Sequence, residues 1–266
     1  MPEQAPTGKS RGFWPYLTGS VLPYLREKGL AETARYARVR LAERIRAYLD
    51  RSFDRRYHTE TTGAIELSAL KVNSEHVSEG IWYEPIRVSI FRQLLGSLAI
   101  RHEEHIFIDF GSGMGRALLL GSEFPFSRVI GVEFSPELHA VALRNFQTYR
   151  NPRQRCFHME SVCMDAVYFP LPPEPSVLFF YSPFKPPVLA KVIAGVLRSL
   201  ENHPRSVYVV FYGAIPGSIQ LLKDSGLKCQ EIKLRLGVME PAVRRGLILT
   251  TTGTQFEIRT LGTAAE

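Results

Sequence analysis

The segment His105-Ile-Phe-Ile-Asp-Phe-Gly-Ser-Gly-Met-Gly115 decides the fold of this chain. Its first half is an apolar run interrupted only by Asp109, a pattern typical of a strand buried on both faces of a parallel sheet. Its second half is rich in glycine, which lets a backbone turn tightly and approach a ligand where a side chain would collide. Arg116 and the apolar residues 117–121 follow directly. The sequence therefore predicts a buried strand, a glycine loop and a short helix, in that order.

Strand-like and helix-like patterns alternate along the rest of the chain. Apolar runs predict strands over 105–110, 128–133, 160–164, 177–181 and 206–212, and then two late strands over 227–236 and 247–259. Helical spacing between the first five strands predicts a parallel sheet with helices on both faces. Only a loop separates the last two strands, which predicts an antiparallel hairpin. The predicted fold class is α/β, with a Rossmann-like, mostly parallel sheet of seven strands.

The N-terminal part of the chain divides into a tail and a helical extension. Proline, glycine and serine punctuate residues 1–22, which predicts a flexible tail. Apolar residues at helical spacing then predict a helix over 25–53 and a second helix that begins at Pro85. We therefore expect a tail, a helical extension over 23–100 that covers the substrate, and an α/β domain over 101–266.

The composition is that of an ordinary globular protein. Of the 266 residues, 45% are apolar and 22% are charged. Three cysteines are too few and too scattered for a disulfide framework, which favours a reducing cytoplasm. No apolar run reaches the roughly 20 residues that a membrane-spanning helix needs. The seven histidines are scattered, and His102-Glu-Glu-His105 lacks the H-E-x-x-H spacing, so we predict no metal site.

The net charge of +7 is concentrated near the N-terminus. Residues 1–60 contain twelve Lys or Arg and seven Asp or Glu, whereas the remainder has a balance of only +2. A basic segment can meet nucleic acid, an anionic membrane or an acidic substrate. Here the bases alternate with acids along a predicted helix, which favours an ordinary solvated face. Because the part from residue 61 onward has so little excess base, we expect no nucleic-acid partner.

The glycine loop and a downstream acid indicate the class of ligand. The spacing is G-x-G-x-G, whereas the dinucleotide fingerprint needs a glycine where this chain has Arg116. Glu133 ends the next predicted strand 20 residues after Gly113, which places a carboxylate to accept both hydroxyls of a ribose. The chain contains no G-x-x-x-x-G-K-[ST] phosphate loop. The pattern favours a nucleoside-bearing ligand and argues against a nicotinamide dehydrogenase.

Over residues 83–212 the sequence resembles class I S-adenosylmethionine-dependent methyltransferases. The resemblance implies that the glycine loop lies against the methionine part of S-adenosylmethionine, that acids after the second and third strands bind its ribose and adenine amine, and that the fourth strand ends near its methyl group. The implied cofactor-binding residues are Asp109, Gly111, Ser112, Gly113, Gly115, Glu133, Phe134, Asp165, Ala166 and Tyr181.

Two further segments bear on catalysis. Tyr181-Ser-Pro-Phe184 resembles the [Asp/Asn/Ser]-Pro-Pro-[Tyr/Phe] element of amino methyltransferases, with one proline fewer. Phe53-Asp-Arg-Arg-Tyr57 and Tyr83-Glu-Pro85 are similar to a bacterial branch grouped with Dot1-like methyltransferases. That resemblance implies that Tyr83 and Glu84 cover the methionine end of the cofactor. Alternatively, Tyr83 packs a helix start, Glu84 is a first-turn acid and Pro183 ends a strand. The candidate catalytic residues are Tyr83, Glu84, Tyr181 and Ser182.

These patterns together predict an S-adenosylmethionine-dependent methyltransferase that acts on an oxygen or nitrogen of a small molecule. Tyr83, Tyr181, Phe184 and Tyr212 suggest an aromatic pocket, which suits a planar or carboxylate-bearing metabolite. Positive charge for a carboxylate would come from Arg55, Arg56 or Lys185. Two alternatives stay open: a Dot1-like protein lysine methyltransferase, and a non-catalytic cofactor-binding protein with a Rossmann-like fold.

Overall fold

The computed structural model describes residues 22–66, 68, 70–72, 74–213, 215, 217–235 and 243–251. Contacts divide the chain between Leu49 and Asp50 into two compact units, and the second unit contains the sheet. Helix α1 (Leu22–Tyr57) is interrupted at Gly29, whose φ of 79° and ψ of 175° are not helical. The predicted tail lies outside the described residues, apart from residue 22. Among the described residues, no helix combines the length and the apolar character needed to cross a membrane.

The other helices and strands follow the alternating order that the sequence predicts. The strands are β1 (Ile106–Phe110), β2 (Arg128–Glu133), β3 (Met159–Cys163), β4 (Ser176–Tyr181), β5 (Val207–Tyr212), β6 (Lys228–Arg235) and β7 (Val243–Thr250). The helices are α2 (Val88–Gly96), α3 (Arg116–Gly121), α4 (Pro136–Thr148), α5 (Pro186–Asn202) and α6 (Ser218–Lys223). Each boundary of β1 to β5 lies within one residue of its prediction.

The seven strands form one sheet in the order β3-β2-β1-β4-β5-β7-β6. Strands β1 to β5 are parallel to one another, and β7 is antiparallel to both β5 and β6. After β1 the chain adds β2 and β3 on one side of β1. It later adds β4 and the remaining strands on the other side. This reversal next to β1 creates a crevice at the carboxyl ends of the strands, where ligands bind in open α/β sheets. The predicted Rossmann-like fold is confirmed.

Both faces of the sheet are packed by apolar side chains. On one face, Phe179 of β4 meets Phe91 of α2, with ring centroids 5.2 Å apart. On the other face, Phe110 and Phe180 stack with centroids 4.9 Å apart, in a cluster that includes Val192 of α5. Side chains alternate between the faces along a strand, so a sheet covered on both sides needs apolar residues throughout. Polar groups therefore collect at the carboxyl edge.

The second helix begins later than the sequence predicts. Helix α2 starts at Val88 with Arg87 as its N-cap residue, whereas the expected start was Pro85. The residues before it are extended because Tyr83 forms an antiparallel bridge with Ile65. Proline at the first position of a helix is common, but here tertiary pairing of the preceding residues overrides that local preference.

The last strand also begins earlier than predicted. Strand β7 starts at Val243 instead of at residue 247, because it pairs with β6 from Arg235 back to Lys228. Arg244 and Arg245, directly after its first residue, hide this pairing from an apolar-run criterion. The predicted extension to residue 259 lies outside the described residues. The assignment of 23–100 as a substrate cover stays a prediction.

Candidate functional site

A pocket that is partly open to solvent lies at the carboxyl ends of β1, β2 and β4, and its free space together with the solvent at its mouth is about 880 Å³. It brings together residues that are more than 100 positions apart in sequence. Of the predicted site residues, those that line it are Tyr83, Glu84, Asp109, Gly111, Ser112, Gly113, Glu133, Phe134, Asp165, Ala166, Tyr181 and Ser182. Gly115 is the predicted site residue that does not line it.

The first two glycines of the loop allow other segments to approach it closely. Gly111 has a φ of 80°, and a Cβ built on it would lie 2.4 Å from Cβ of Pro183. Gly113 has a φ of 54°, and a Cβ there would lie 2.2 Å from the ring of Tyr83. Both positions combine left-handed backbone with a contact too short for any side chain. Tyr83 therefore packs over Gly113, and Pro183 packs over Gly111.

Gly115 is explained by packing. It has a φ of 86° and is the N-cap residue of α3. A Cβ at this position would lie 3.2 Å from Cβ of Ala142 in α4. The residue therefore allows the helix to begin in a left-handed conformation close to its neighbour.

Two buried carboxyl groups stand beside the glycine loop. Glu133 accepts hydrogen bonds from the backbone N–H groups of Gly113 (2.8 Å) and Ser135 (2.9 Å). Burial raises the pKa of Glu133 to about 7, although these hydrogen bonds counteract the shift. Burial also raises the pKa of Asp109 well above its ordinary value, and the nearby charge of Glu133 adds to that shift. Such shifts favour the neutral acids and are typical of ligand-binding and catalytic sites.

Ser112 has a buried hydroxyl without a hydrogen-bond partner among the described residues. The side chain belongs to the glycine loop and lines the pocket. Buried hydroxyl groups in folded proteins are nearly always hydrogen-bonded, and leaving one unsatisfied costs about 1–3 kcal/mol. Its oxygen lies against Gly131 of β2, 2.7 Å from an ideal Cβ built there, so the hydroxyl faces the sheet beneath the loop.

The turn after β4 is strained and aromatic. Ser182 has a φ of 42°, which is unusual for a residue with a Cβ, and its hydroxyl donates to the backbone oxygen of Tyr212 (3.2 Å). The ring of Tyr181 stacks on that of Tyr212, with centroids 5.4 Å apart. Phe184 forms an antiparallel bridge with Gly80. The turn thus places Tyr181 and Ser182 at the pocket, while the hydroxyl of Ser182 faces the end of β5 near Gly213.

Tyr83 is fixed above the glycine loop. Its hydroxyl donates to the backbone oxygen of Thr61 (2.7 Å), and its backbone pairs with Ile65. Burial raises the pKa of Tyr83, so its hydroxyl stays protonated near neutral pH. The geometry suits a positioning group better than a proton acceptor. Glu84, the adjacent candidate, is exposed where the pocket opens.

Arg116 has a role that the sequence interpretation missed. Its side chain is only 1% exposed, and its Nε donates to Thr61 Oγ1 (2.5 Å) while Nη2 donates to Thr62 Oγ1 (3.0 Å). Asp54 Oδ1 lies 3.6 Å from Nη2. Burial acts to raise the pKa of Asp54, but hydrogen bonds from Thr62 and Thr61 and the charge of Arg116 hold it below its ordinary value. The segment around Thr61 positions Tyr83, and this cluster joins that segment to Arg116 in the first turn of α3.

A second missed residue is His76, which is buried and lines the pocket. Its Nδ1 lies 2.8 Å from Oδ2 of Asp165, the residue expected to bind an adenine amine. Ser74 also donates to that carboxylate oxygen. His76 lies in a segment without helical or strand periodicity, so no signal for this contact is visible in the sequence.

The cations proposed for a carboxylate substrate do not line this pocket. Arg55 and Arg56 are exposed at the end of α1, and the Nζ of Lys185 donates to the backbone oxygen of Ser78 (2.6 Å). The structure therefore does not support Arg55, Arg56 or Lys185 as ligands for a substrate in the pocket. In the part of the chain that the structure describes, no group of three or more His, Cys, Asp or Glu is arranged to hold a metal ion.

No protein-family model and no curated protein matches this chain. Among solved structures, a SAM-dependent methyltransferase from Aquifex aeolicus is 15% identical, over 63% of this chain and 93% of its own, with a TM-score of 0.45. Magnesium protoporphyrin IX methyltransferase from Synechocystis PCC 6803, solved with bound SAM, is 14% identical, over 62% and 77%, with a TM-score of 0.38. An rRNA methylase from Streptococcus thermophilus is 14% identical, over 64% and 96%, with a TM-score of 0.40. Similarity at this level concerns the course of the chain and does not extend to a substrate.

Proposed function

We propose that this protein is an S-adenosylmethionine-dependent methyltransferase. One observation carries the proposal: the buried carboxylate of Glu133 at the end of β2 accepts the backbone N–H of Gly113 in the loop after β1. This bond brings a ribose-binding acid and a glycine loop to one pocket, and Asp165 after β3 lines the same pocket. The order and spacing of these three elements are those that the resemblance to class I methyltransferases implies.

The pocket residues fit S-adenosylmethionine by their chemistry. Glu133 would accept the ribose hydroxyls, Asp165 would accept the adenine amine, and Phe134 would lie beside the adenine ring. Gly111, Ser112 and Gly113 of the glycine loop would lie against the methionine part. When bound, the cofactor supplies a methyl group already activated by a sulfonium. The protein then has to hold the acceptor atom of the substrate in line with that methyl group. Such positioning can lower the reaction barrier by about 7–11 kcal/mol.

The charged residues of the pocket favour a methyl acceptor other than a carboxylate. The acids Glu84, Asp109, Glu133 and Asp165 line it, whereas Arg116 is engaged with the threonines beside Asp54. A substrate carboxylate would meet the ionised Asp165 on this wall, and the side chain of Arg116 is only 1% exposed, so the pocket offers it little compensation. Aromatic side chains also line the pocket: Trp82, Tyr83, Tyr181 and Phe184. We therefore propose a planar small molecule that presents a nitrogen or oxygen nucleophile, without a carboxylate next to it.

The affinity for the demethylated cofactor should depend on the ionisation of Glu133. Only the carboxylate form accepts two ribose hydroxyls, and the pKa of Glu133 is about 7. The site is therefore mostly protonated at pH 6 and mostly ionised at pH 8, so the affinity for S-adenosylhomocysteine should rise about tenfold between these values. Glu133→Gln should bind more weakly and lose this dependence, whereas Glu137→Gln, a partly exposed acid in the first turn of α4 that does not line the pocket, should retain it. An equally steep profile in Glu133→Gln would assign the titration to another group.

Transfer of a tritiated methyl group tests the proposed substrate class. Purified protein is incubated with labelled S-adenosylmethionine and with cell extract separated into small molecules, protein and nucleic acid. We expect label in the small-molecule fraction, and more of it in the cationic and neutral subfractions than in the anionic one. Label in a single protein band would favour the lysine methyltransferase alternative. No label in any fraction, with cofactor bound, would favour a non-catalytic binding protein.

A further inference from the structure

Asp165 is backed by two basic side chains from different parts of the chain. His76 lies just before a short 3-10 turn (Val77–Glu79), and Lys191 lies on α5. The Nδ1 of His76 is 2.8 Å from Asp165 Oδ2, and its Nε2 is 2.8 Å from Nζ of Lys191. His76 is buried, so this row of three side chains runs from the helix to the wall of the pocket.

The direction of the hydrogen bonds follows from the chemistry of the three groups. An ammonium can only donate, so Nε2 of His76 must accept from Lys191. The ring proton is then on Nδ1, which donates to the carboxylate of Asp165. Lys191 therefore fixes the tautomer of His76. Lys191 donates to His76, and His76 donates to Asp165.

The remaining contacts of Asp165 leave room for one further donor. Ser74 Oγ donates to Oδ2 (2.5 Å), and the backbone N–H of Val167 donates to Oδ1 (2.9 Å). A carboxylate has about four acceptor sites, and these two donors and His76 use three of them. Burial acts to raise the pKa of Asp165, but hydrogen bonds from Ser74, Val167 and His76 hold it below its ordinary value. The group is thus an ionised, oriented acceptor on the pocket wall.

We propose that His76 and Lys191 are positioning residues that hold Asp165 ready for a single N–H donor and so make the pocket selective for a 6-aminopurine over a 6-oxopurine. This inference rests on the proposed function, because it takes the purine to be that of the cofactor. An amine would complete the fourth acceptor site. A carbonyl oxygen would face a carboxylate and leave it unpaired, which is how sites that hydrogen-bond a substrate group reject analogues lacking it.

Calorimetry with S-adenosylhomocysteine and S-inosylhomocysteine, its 6-oxo analogue, tests the inference. The unaltered protein should bind the amino compound about tenfold or more tightly than the oxo compound. In His76→Ala that preference should fall to about threefold or less, mainly through loss of affinity for the amino compound. His76→Asn should restore most of it, because its amide N–H can replace Nδ1–H, and Lys191→Met should give an intermediate ratio. His139→Ala removes a half-buried histidine that bonds Ser161 and does not line the pocket, so it should leave the ratio unchanged.

Each other result contradicts a distinct part of the account. Equal binding of both compounds by the unaltered protein would overturn the purine selectivity and leave the proposed function intact. A parallel loss for both compounds in His76→Ala, with a lowered melting temperature and no rescue by asparagine, would show that His76 is only structural. Failure of the unaltered protein to bind either compound would overturn the proposed function, and this inference with it.

Discussion

Replacing Gly113 by alanine is expected to lower methyl transfer by about a hundredfold or more, because small misplacements at a reacting site have effects of that size. A Cβ at this position would lie 2.2 Å from the ring of Tyr83, and the φ of 54° is itself unfavourable for alanine. The tyrosine cannot retreat easily, since its hydroxyl is bonded to Thr61 and its backbone to Ile65. The glycine loop must therefore shift, and the hydrogen bond from the Gly113 N–H to Glu133 is broken.

Gly96→Ala is the matched control for this substitution. It adds the same methyl group at the end of α2, where nothing lies within 4 Å and the backbone is not left-handed. Cofactor affinity and transfer should be unchanged in this variant, and a melting curve should show both variants folded. If Gly113→Ala retained full activity, the close contact between Tyr83 and the glycine loop would not exist in solution.

Replacing Arg116 by methionine is expected to lower the free energy of unfolding by about 3–5 kcal/mol, the usual cost of removing one partner from a buried ion pair. Methionine keeps much of the apolar length but leaves Asp54 without its cation and two threonine hydroxyls without a donor. For a chain of this size the melting temperature should fall by about 10 °C. Differential scanning calorimetry or denaturant unfolding measures the effect.

Arg245→Met provides the comparison for a surface ion pair. Arg245 bonds Glu231 across the β6–β7 hairpin with its side chain 69% exposed, so solvent screening makes the pair weak and the melting temperature should change little. Similar small changes for Arg116→Met and Arg245→Met would contradict the view that Arg116 fastens the segment that carries Thr61 to the pocket.

The centre of the sheet could be predicted closely because β1, β2, β4 and β5 are buried on both faces. β2 was predicted at its observed bounds, and the glycine loop was placed correctly between β1 and α3. Parallel strands covered by helices need continuous apolar runs, and such runs are visible in a single sequence. β7 shows the limit of this criterion, since Arg244 and Arg245 follow its first residue and pair with the edge strand β6.

The contacts of the segment before α2 could not be predicted in the same way. Thr61 meets Arg116 across 55 positions of sequence, and His76 meets Asp165 across 89. Such polar contacts follow no period and depend on tertiary packing alone. The same holds for Arg55 and Lys185, whose charge was apparent in the sequence while the direction of their side chains was not.

Calorimetric titration of the purified protein with S-adenosylhomocysteine, with NAD⁺ as the comparison, tests the central claim most directly. At pH 8, where Glu133 is ionised, we predict saturable one-to-one binding of S-adenosylhomocysteine and negligible heat from NAD⁺. The absence of glycine at position 116 and the acid pair at Glu133 and Asp165 both lead to this expectation. Tighter binding of NAD⁺ than of S-adenosylhomocysteine would contradict the assignment of this pocket to a methyltransferase cofactor.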